Sequence, residues 1–146
     1  MIMAKIEYAW EDYSCYLGGK RVTMIVGAKY RKQRTKEYIY GEGSSPQAIG
    51  RGNVSYEASV TVKLSELEVM IDSAGGDITE IEAFTVVHKY QRKGSNRIIT
   101  DIMYECEFTE QAKEILQGNT SVEVELPIMP LRIAYDTIAL PNQLMK

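Results

Sequence analysis

Asn53-Val54-Ser55-Tyr56-Glu57-Ala58-Ser59-Val60-Thr61-Val62-Lys63-Leu64 is the stretch that decides the fold. Val54, Tyr56, Ala58, Val60, Val62 and Leu64 alternate with Ser55, Glu57, Ser59, Thr61 and Lys63, and a period of two puts one set on a core and the other in water. A half-buried β-strand is expected over 53–64. It follows Gly50-Arg51-Gly52 and, before that, a loop at Gly41-Glu42-Gly43-Ser44-Ser45-Pro46 marked by its turn chemistry. Immediately afterwards the period changes. Ser65-Glu66-Leu67-Glu68 has the spacing of a capping box, Leu67, Met70 and Ile71 fall on one helical stripe, and Gly75-Gly76 supplies a left-handed stop. A short helix over 66–74, with one face on the sheet, is expected.

Upstream, Ser14-Cys15-Tyr16-Leu17, Gly18-Gly19 and Val22-Thr23-Met24-Ile25-Val26 read as a hairpin closed by a Gly-Gly turn. Its second strand continues into Gly27–Tyr40, which is polar and basic with tyrosines at 30, 38 and 40. A strand polar on both faces is not a core strand along its whole length. Two readings stay open: a ribbon projecting beyond the body, or a solvent loop around Arg31 to Lys36. The first dozen residues show no period and read as an N-terminal arm.

Downstream, Ile81–Tyr90 and Arg97–Phe108 read as a hairpin around Gln91-Arg92-Lys93-Gly94-Ser95-Asn96. Ile98, Thr100, Ile102, Tyr104, Cys106 and Phe108 are expected on one face, opposite Asp101, Glu105 and Glu107. Thr109 to Gly118 reads as a second short helix, Val122–Leu126 as an alternating strand, and Leu131–Tyr135 as a last strand, with a tail from Pro141. Pro127 and Pro130 are expected to confine Ile128-Met129 to an edge or a bend. Six to eight strands with one firm helix favour a mainly β fold, a sandwich or barrel with the helix on its flank.

Bulk composition agrees. The chain has 146 residues, 45% apolar and 25% charged, with net charge −3, values of an ordinary globular protein of one domain. A chain of this length buries roughly 70% of the surface exposed when unfolded, enough for a core without staples. The acidic balance argues against a dedicated nucleic-acid binder, which carries a basic field. Cys15 and Cys106 are too few for a disulfide framework and too far apart for a metal pair, so two buried free thiols are expected. No signal peptide or membrane-length apolar run is read, so folding in a cytoplasm, without a membrane anchor, is expected. Ten tyrosines against two phenylalanines suit strands and half-wet packed surfaces.

Motifs for chemistry are missing from the sequence pattern. His88, the one histidine, sits in a strand with no local nucleophile or carboxylate partner and reads as a sheet-surface or core residue. The Gly-x-Gly pairs at 41–43 and 50–52 are too short for a phosphate fingerprint. Glu105 and Glu107 read as exposed strand surface. Neither catalytic nor metal residues, nor a cofactor, are expected. Lys29-Tyr30-Arg31-Lys32-Gln33-Arg34-Thr35-Lys36 carries three readings: a solvated strand or loop, a nucleic-acid contact interleaving charge with an aromatic, or a contact with the acidic surface of an identical copy. The last is preferred over nucleic acid.

At Tyr40-Gly41-Glu42-Gly43, Pro46 and Gly50-Arg51-Gly52-Asn53-Val54-Ser55-Tyr56-Glu57-Ala58-Ser59-Val60-Thr61-Val62 the sequence resembles the tail-tube proteins of contractile-tailed phages and of defective prophage elements. There a glycine-rich loop with a proline leads into a glycine-initiated strand and then a short helix, as Ser65 to Gly76 follows here. The specific match runs from Tyr38 to Gly76; elsewhere length and β content agree. The resemblance implies a non-enzymatic subunit without cofactor, closing into homohexameric rings that stack into a tube. Strands would line a lumen through which DNA passes as transient cargo. It implies sheath or baseplate proteins as further partners, and location in a virion tail after assembly in the host bacterial cytoplasm. By analogy, Lys29, Arg31, Lys32, Arg34, Lys36, Tyr38, Tyr40, Gly41, Gly43 and Pro46 are candidates for contacts between subunits or rings. A nucleic-acid-binding β-barrel using Lys29–Lys36, and a hydrolase or ligand-binding sandwich with a site gathered from distant strands, are the alternatives.

Overall fold

The computed structural model describes residues 9–91, 94, 97–118 and 120–136. After a 3-10 turn at Trp10–Asp12, the strands are β1 (Tyr13–Leu17), β2 (Lys20–Arg21), β3 (Ile25–Tyr40) and β4 (Pro46–Lys63). Helix α1 (Leu64–Ser73) and a 3-10 turn at Ile78–Glu80 follow, then β5 (Phe84–Gln91), β6 (Ile98–Phe108), β7 (Glu123–Met129) and β8 (Arg132–Ala134). All pairings are antiparallel, in the order β2-β1-β5-β6-β7-β4-β3, with β8 also on β6. The fold is mainly β with one flanking helix, as the sequence predicts.

The sheet curls on itself. Tyr30 of β3, at one end of the strand order, donates its hydroxyl hydrogen to Asp101 of β6 in the middle. Inside the curl lie Val60 and Val62 from β4, Val86 from β5, Met103 from β6 and Leu126 from β7, closed by Leu67 of α1 and Ile78. Ala58, Val60 and Val62 are buried while Glu57 is exposed and Thr61 and Lys63 are half-buried, so the alternation read from the sequence is real. Ser59, on the other face, is buried as well.

Several expectations change in the structure. The long strand starts at Pro46, not Asn53, because β3 pairs along it from Tyr40↔Pro46 inward, past a register shift between Arg34 and Lys36. The Gly18-Gly19 turn is as expected, with φ of +59° and +87°, values that suit a two-residue hairpin. Its second strand is only Lys20–Arg21. Val22 then turns inward, its N–H donating to the Cys15 carbonyl at 2.9 Å, and Ile25 begins β3 at the opposite end of the strand order. Helix α1 begins at Leu64 with Lys63 as N-cap and no side-chain cap, so the capping box at Ser65 and Glu68 does not form. Backbone replaces it: the Leu64 N–H donates to the Val122 carbonyl at 3.0 Å. The helix ends as read, with Gly76 N–H on the Ile71 carbonyl at 2.9 Å.

The face of β6 also changes. Asp101, expected outside, is 2% exposed, and Met103 is buried beside it. Glu105 sits at φ +50°, and the register moves from Val86↔Met103 to Phe84↔Cys106. One extra residue on β6 is a bulge that exchanges the two faces, so Cys106 and Phe108 are buried beyond it. Residues 81–83 are not strand, and 109–116 are not helix. Tertiary bonds tie down the latter segment: Gln111 accepts from the Ile78 N–H at 2.9 Å and donates to the Gly76 carbonyl at 3.4 Å, and Lys113 meets Glu68 at 2.5 Å. Pro127 lies inside β7 instead of ending it. Its carbonyl accepts from Thr109 N–H at 3.2 Å, just past the end of β6, so its missing donor faces the side where no strand continues. Residues 1–8 of the expected arm and the tail from Pro141 lie outside the described residues.

Candidate assembly surfaces

The polar stretch is a ribbon, the first of its two readings. Across the described residues, β4 pairs with β7 from Ala58 to Lys63, and from Pro46 to Glu57 its partner is β3 alone. At about 3.3 Å per residue this two-stranded part is an arm about 35–40 Å long. From Arg31 to Tyr40 every residue is exposed.

The sequence-predicted site residues all fall on or beside this arm. Lys29 stands at its root opposite Ser59, and Arg31 opposite Glu57. Arg31 is already engaged, its guanidinium on the Glu57 carboxylate with both groups well exposed, a pairing of small worth in water. Lys32, Arg34 and Lys36 make no ion pair among the described residues. Tyr38 and Tyr40 are at the far end, Pro46 pairs with Tyr40, and Gly41 and Gly43 lie in the connecting turn, Gly43 at φ +96°.

The far end is more apolar than the root. Tyr38 faces Ile49 across the ladder, and the Tyr38 and Tyr40 rings meet edge to face at 6.3 Å. Cross-strand partners share a face, so Tyr38, Tyr40 and Ile49 form one apolar patch, at 62%, 58% and 59% exposure. Ile39 and Ala48 pair on the other face, with Ile39 at 51% exposure. Ile49 and Ile39 were not singled out in the sequence; the register that brings them to the tyrosines is what identifies them.

A buried polar cluster fixes the root of the arm, and sequence reasoning missed it. His88 is fully buried, a core histidine. Its Nδ1 lies 2.5 Å from the Tyr13 hydroxyl, and the Tyr30 ring stacks on it at 4.3 Å. Asp101 accepts from Tyr30, from the Tyr90 hydroxyl at 3.2 Å and from the Asp136 backbone N–H at 2.9 Å. Burial lowers the His88 pKa to about 4, with Asp101 opposing the shift, and burial pushes the Tyr13 and Tyr30 hydroxyls far up. The imidazole and the two phenols are thus neutral at ordinary pH, and the cluster ties Tyr13, β3, β5, β6 and residue 136 together. Its members come from distant segments, so no local motif marks it.

A separate apolar cleft of about 200 Å³ opens between α1 and the β1–β2 hairpin, floored by Phe84 and Phe108. Among the described residues no group of three or more His, Cys, Asp or Glu side chains is placed to hold a metal. No helix among them is long and apolar enough to cross a membrane.

No protein-family model matches the sequence, and no curated protein does. Solved structures do match. A chain of the anti-feeding prophage cap, the AFP tube-terminating cap, superposes with a TM-score of 0.64 at 9% identity, covering 92% of this chain and 94% of that one. A chain of the PVC sheath–tube complex, from an extracellular contractile injection system in the extended state, gives 0.60 at 12% identity, with 88% and 90% covered. Hcp1 from Flavobacterium johnsoniae gives 0.54 at 11% identity, with 84% and 93% covered. The chain has a tail-tube-like fold, the fold that the resemblance of its Tyr38–Gly76 segment implies.

Proposed function

We propose that this chain is a structural subunit of a phage or phage-derived tail tube, closing into homohexameric rings that stack around a DNA-conducting lumen. The observation that carries the reading is the arm. Its tip exposes Tyr38, Ile39, Tyr40 and Ile49, and a two-stranded ribbon with apolar groups on both faces is marginal in water by itself. Covering it with a neighbouring subunit removes that surface from water at about 25 cal/mol per Å² of apolar area. The outer edge of β3 likewise ends the strand order, and pairing it with another subunit disposes of an edge hazard. The tail-tube-like fold supports the same reading. Sheath or baseplate proteins are the further partners, DNA is cargo without a dedicated basic field to hold it, and the role calls for neither cofactor nor catalysis. The subunit would be assembled in the host bacterial cytoplasm and end in the virion tail.

Light scattering with negative-stain microscopy over a concentration series tests this. Rings or tubes of uniform diameter, the tubes lost to Tyr38→Ser with Ile49→Ser in a chain that still melts cooperatively, are the expected result. A monomer at every concentration, indifferent to those substitutions, would overturn it.

A further inference from the structure

We infer that Tyr38, Tyr40 and Ile49 of one subunit seat in the cleft between α1 and the β1–β2 hairpin of the subunit stacked on it. The inference rests on the tube-subunit reading and adds to it the acceptor site.

Three observations carry it. The first is chemistry. The cleft is lined by Leu17, Val69, Met70, Ile81, Phe84 and Phe108, and Val69 stands 46% exposed on its helix wall. An aromatic ring is the side chain with the largest apolar area to fill such a space, and the tip presents two.

The second is charge. Lys20 and Glu66 are the charged residues lining the cleft, and neither has an ion-pair partner among the described residues. Behind the tip patch, Lys36 and Arg51 face each other across the ladder and Glu37 is opposite Gly50. A seated tip brings Lys36 and Arg51, which share the face of Tyr38 and Ile49, toward Glu66. Such matched signs set register more than affinity.

The third is position. Strand β3 opens at Ile25, paired with Val62 two residues before α1 begins, and closes at Tyr40 in the tip. Its 16 residues, at about 3.3 Å each, separate cleft from tip by about 50 Å. The tip therefore cannot fill its own cleft. A donor at one end and an acceptor at the other make a head-to-tail contact that repeats without closing, which is how an open stack grows.

Two variants test the acceptor. Val69→Arg puts a charge in the cleft from an exposed helix position, and its melting should stay close to the parent's. Ring-sized particles that no longer stack are expected; tubes of parental length would overturn the inference. Tyr38→Cys combined with Val69→Cys, assembled and then mildly oxidised, should give a ladder of disulfide-linked multimers that either single variant lacks. Assembled tubes without that ladder would overturn it even if Val69→Arg proved unstable. Failure of the unmodified chain to assemble at all falls instead on the tube-subunit reading.

Discussion

Acidification should destabilise this protein by about 3 kcal/mol through His88 alone. The unfolded imidazole takes up its proton near 6.5, whereas the folded one, shut away from water between Tyr13 and Tyr30, does so only near 4. Above 6.5 both states carry neutral histidine and nothing is lost. Between 6.5 and 4 the unfolded chain binds a proton that the folded chain refuses, so stability falls with pH across that window and levels off below it. Each pH step in the window is worth about 1.4 kcal/mol, which gives the total. The assay is urea unfolding at a series of pH values, followed by circular dichroism on dilute protein and compared with His88→Phe. That variant keeps a ring against Tyr30 but strands the Tyr13 hydroxyl, so it should start about 1–3 kcal/mol less stable at neutral pH. Its profile should then be flatter than the parent's by the His88 contribution, because the carboxylates titrate in both chains and cancel in the comparison. Parallel profiles would refute the reasoning.

Two further outcomes are expected. Leu67, fully buried where α1 closes the core, should cost about 2–5 kcal/mol as Leu67→Ala by chemical denaturation, and a loss under about 1 kcal/mol would mean that α1 does not close the core. Burial pushes the Cys15 thiol up to about 11 and the Cys106 thiol up to about 12, so the native chain should resist an aromatic disulfide reagent at mildly alkaline pH and yield both thiols once unfolded; prompt native labelling would contradict their placement.

What was legible in the sequence was whatever repeats locally. Val54 to Leu64 keeps a strict period and its core face came out correctly. Gly75-Gly76 stopped α1 where read, and Tyr38, Tyr40 and Pro46 do meet at the end of a projecting ribbon. What failed depends on partners far along the chain. The bulge at Glu105 exchanges the faces of β6, so an unbroken alternation put Asp101 in water when three groups hydrogen-bond it inside. Residues 109–117 have helical composition, yet Gln111 and Lys113 find stronger claims on Ile78, Gly76 and Glu68. The capping box at Ser65 lost to a carbonyl of Val122 for the same reason. For the candidate assembly surface, the sequence supplied the basic run and the tyrosines, and strand register supplied Ile49 and Ile39.

For the proposed tube subunit, the two-stranded arm has a consequence for the rate of assembly. Among the described residues no third strand stiffens it from Glu57 to Pro46, so its ordering is weakly coupled to the cooperative core and, for the proposed tube subunit, would be completed when a neighbour covers it. The first contacts between free subunits would then have to restrict both the arm and the approach of a partner. Each later subunit would meet a platform where arms are already held. Growth of that kind is nucleated: a lag at low concentration, steep dependence of the lag on concentration, and abrupt shortening when preformed ends are added. The length of the product would be set by how many ends exist at the start.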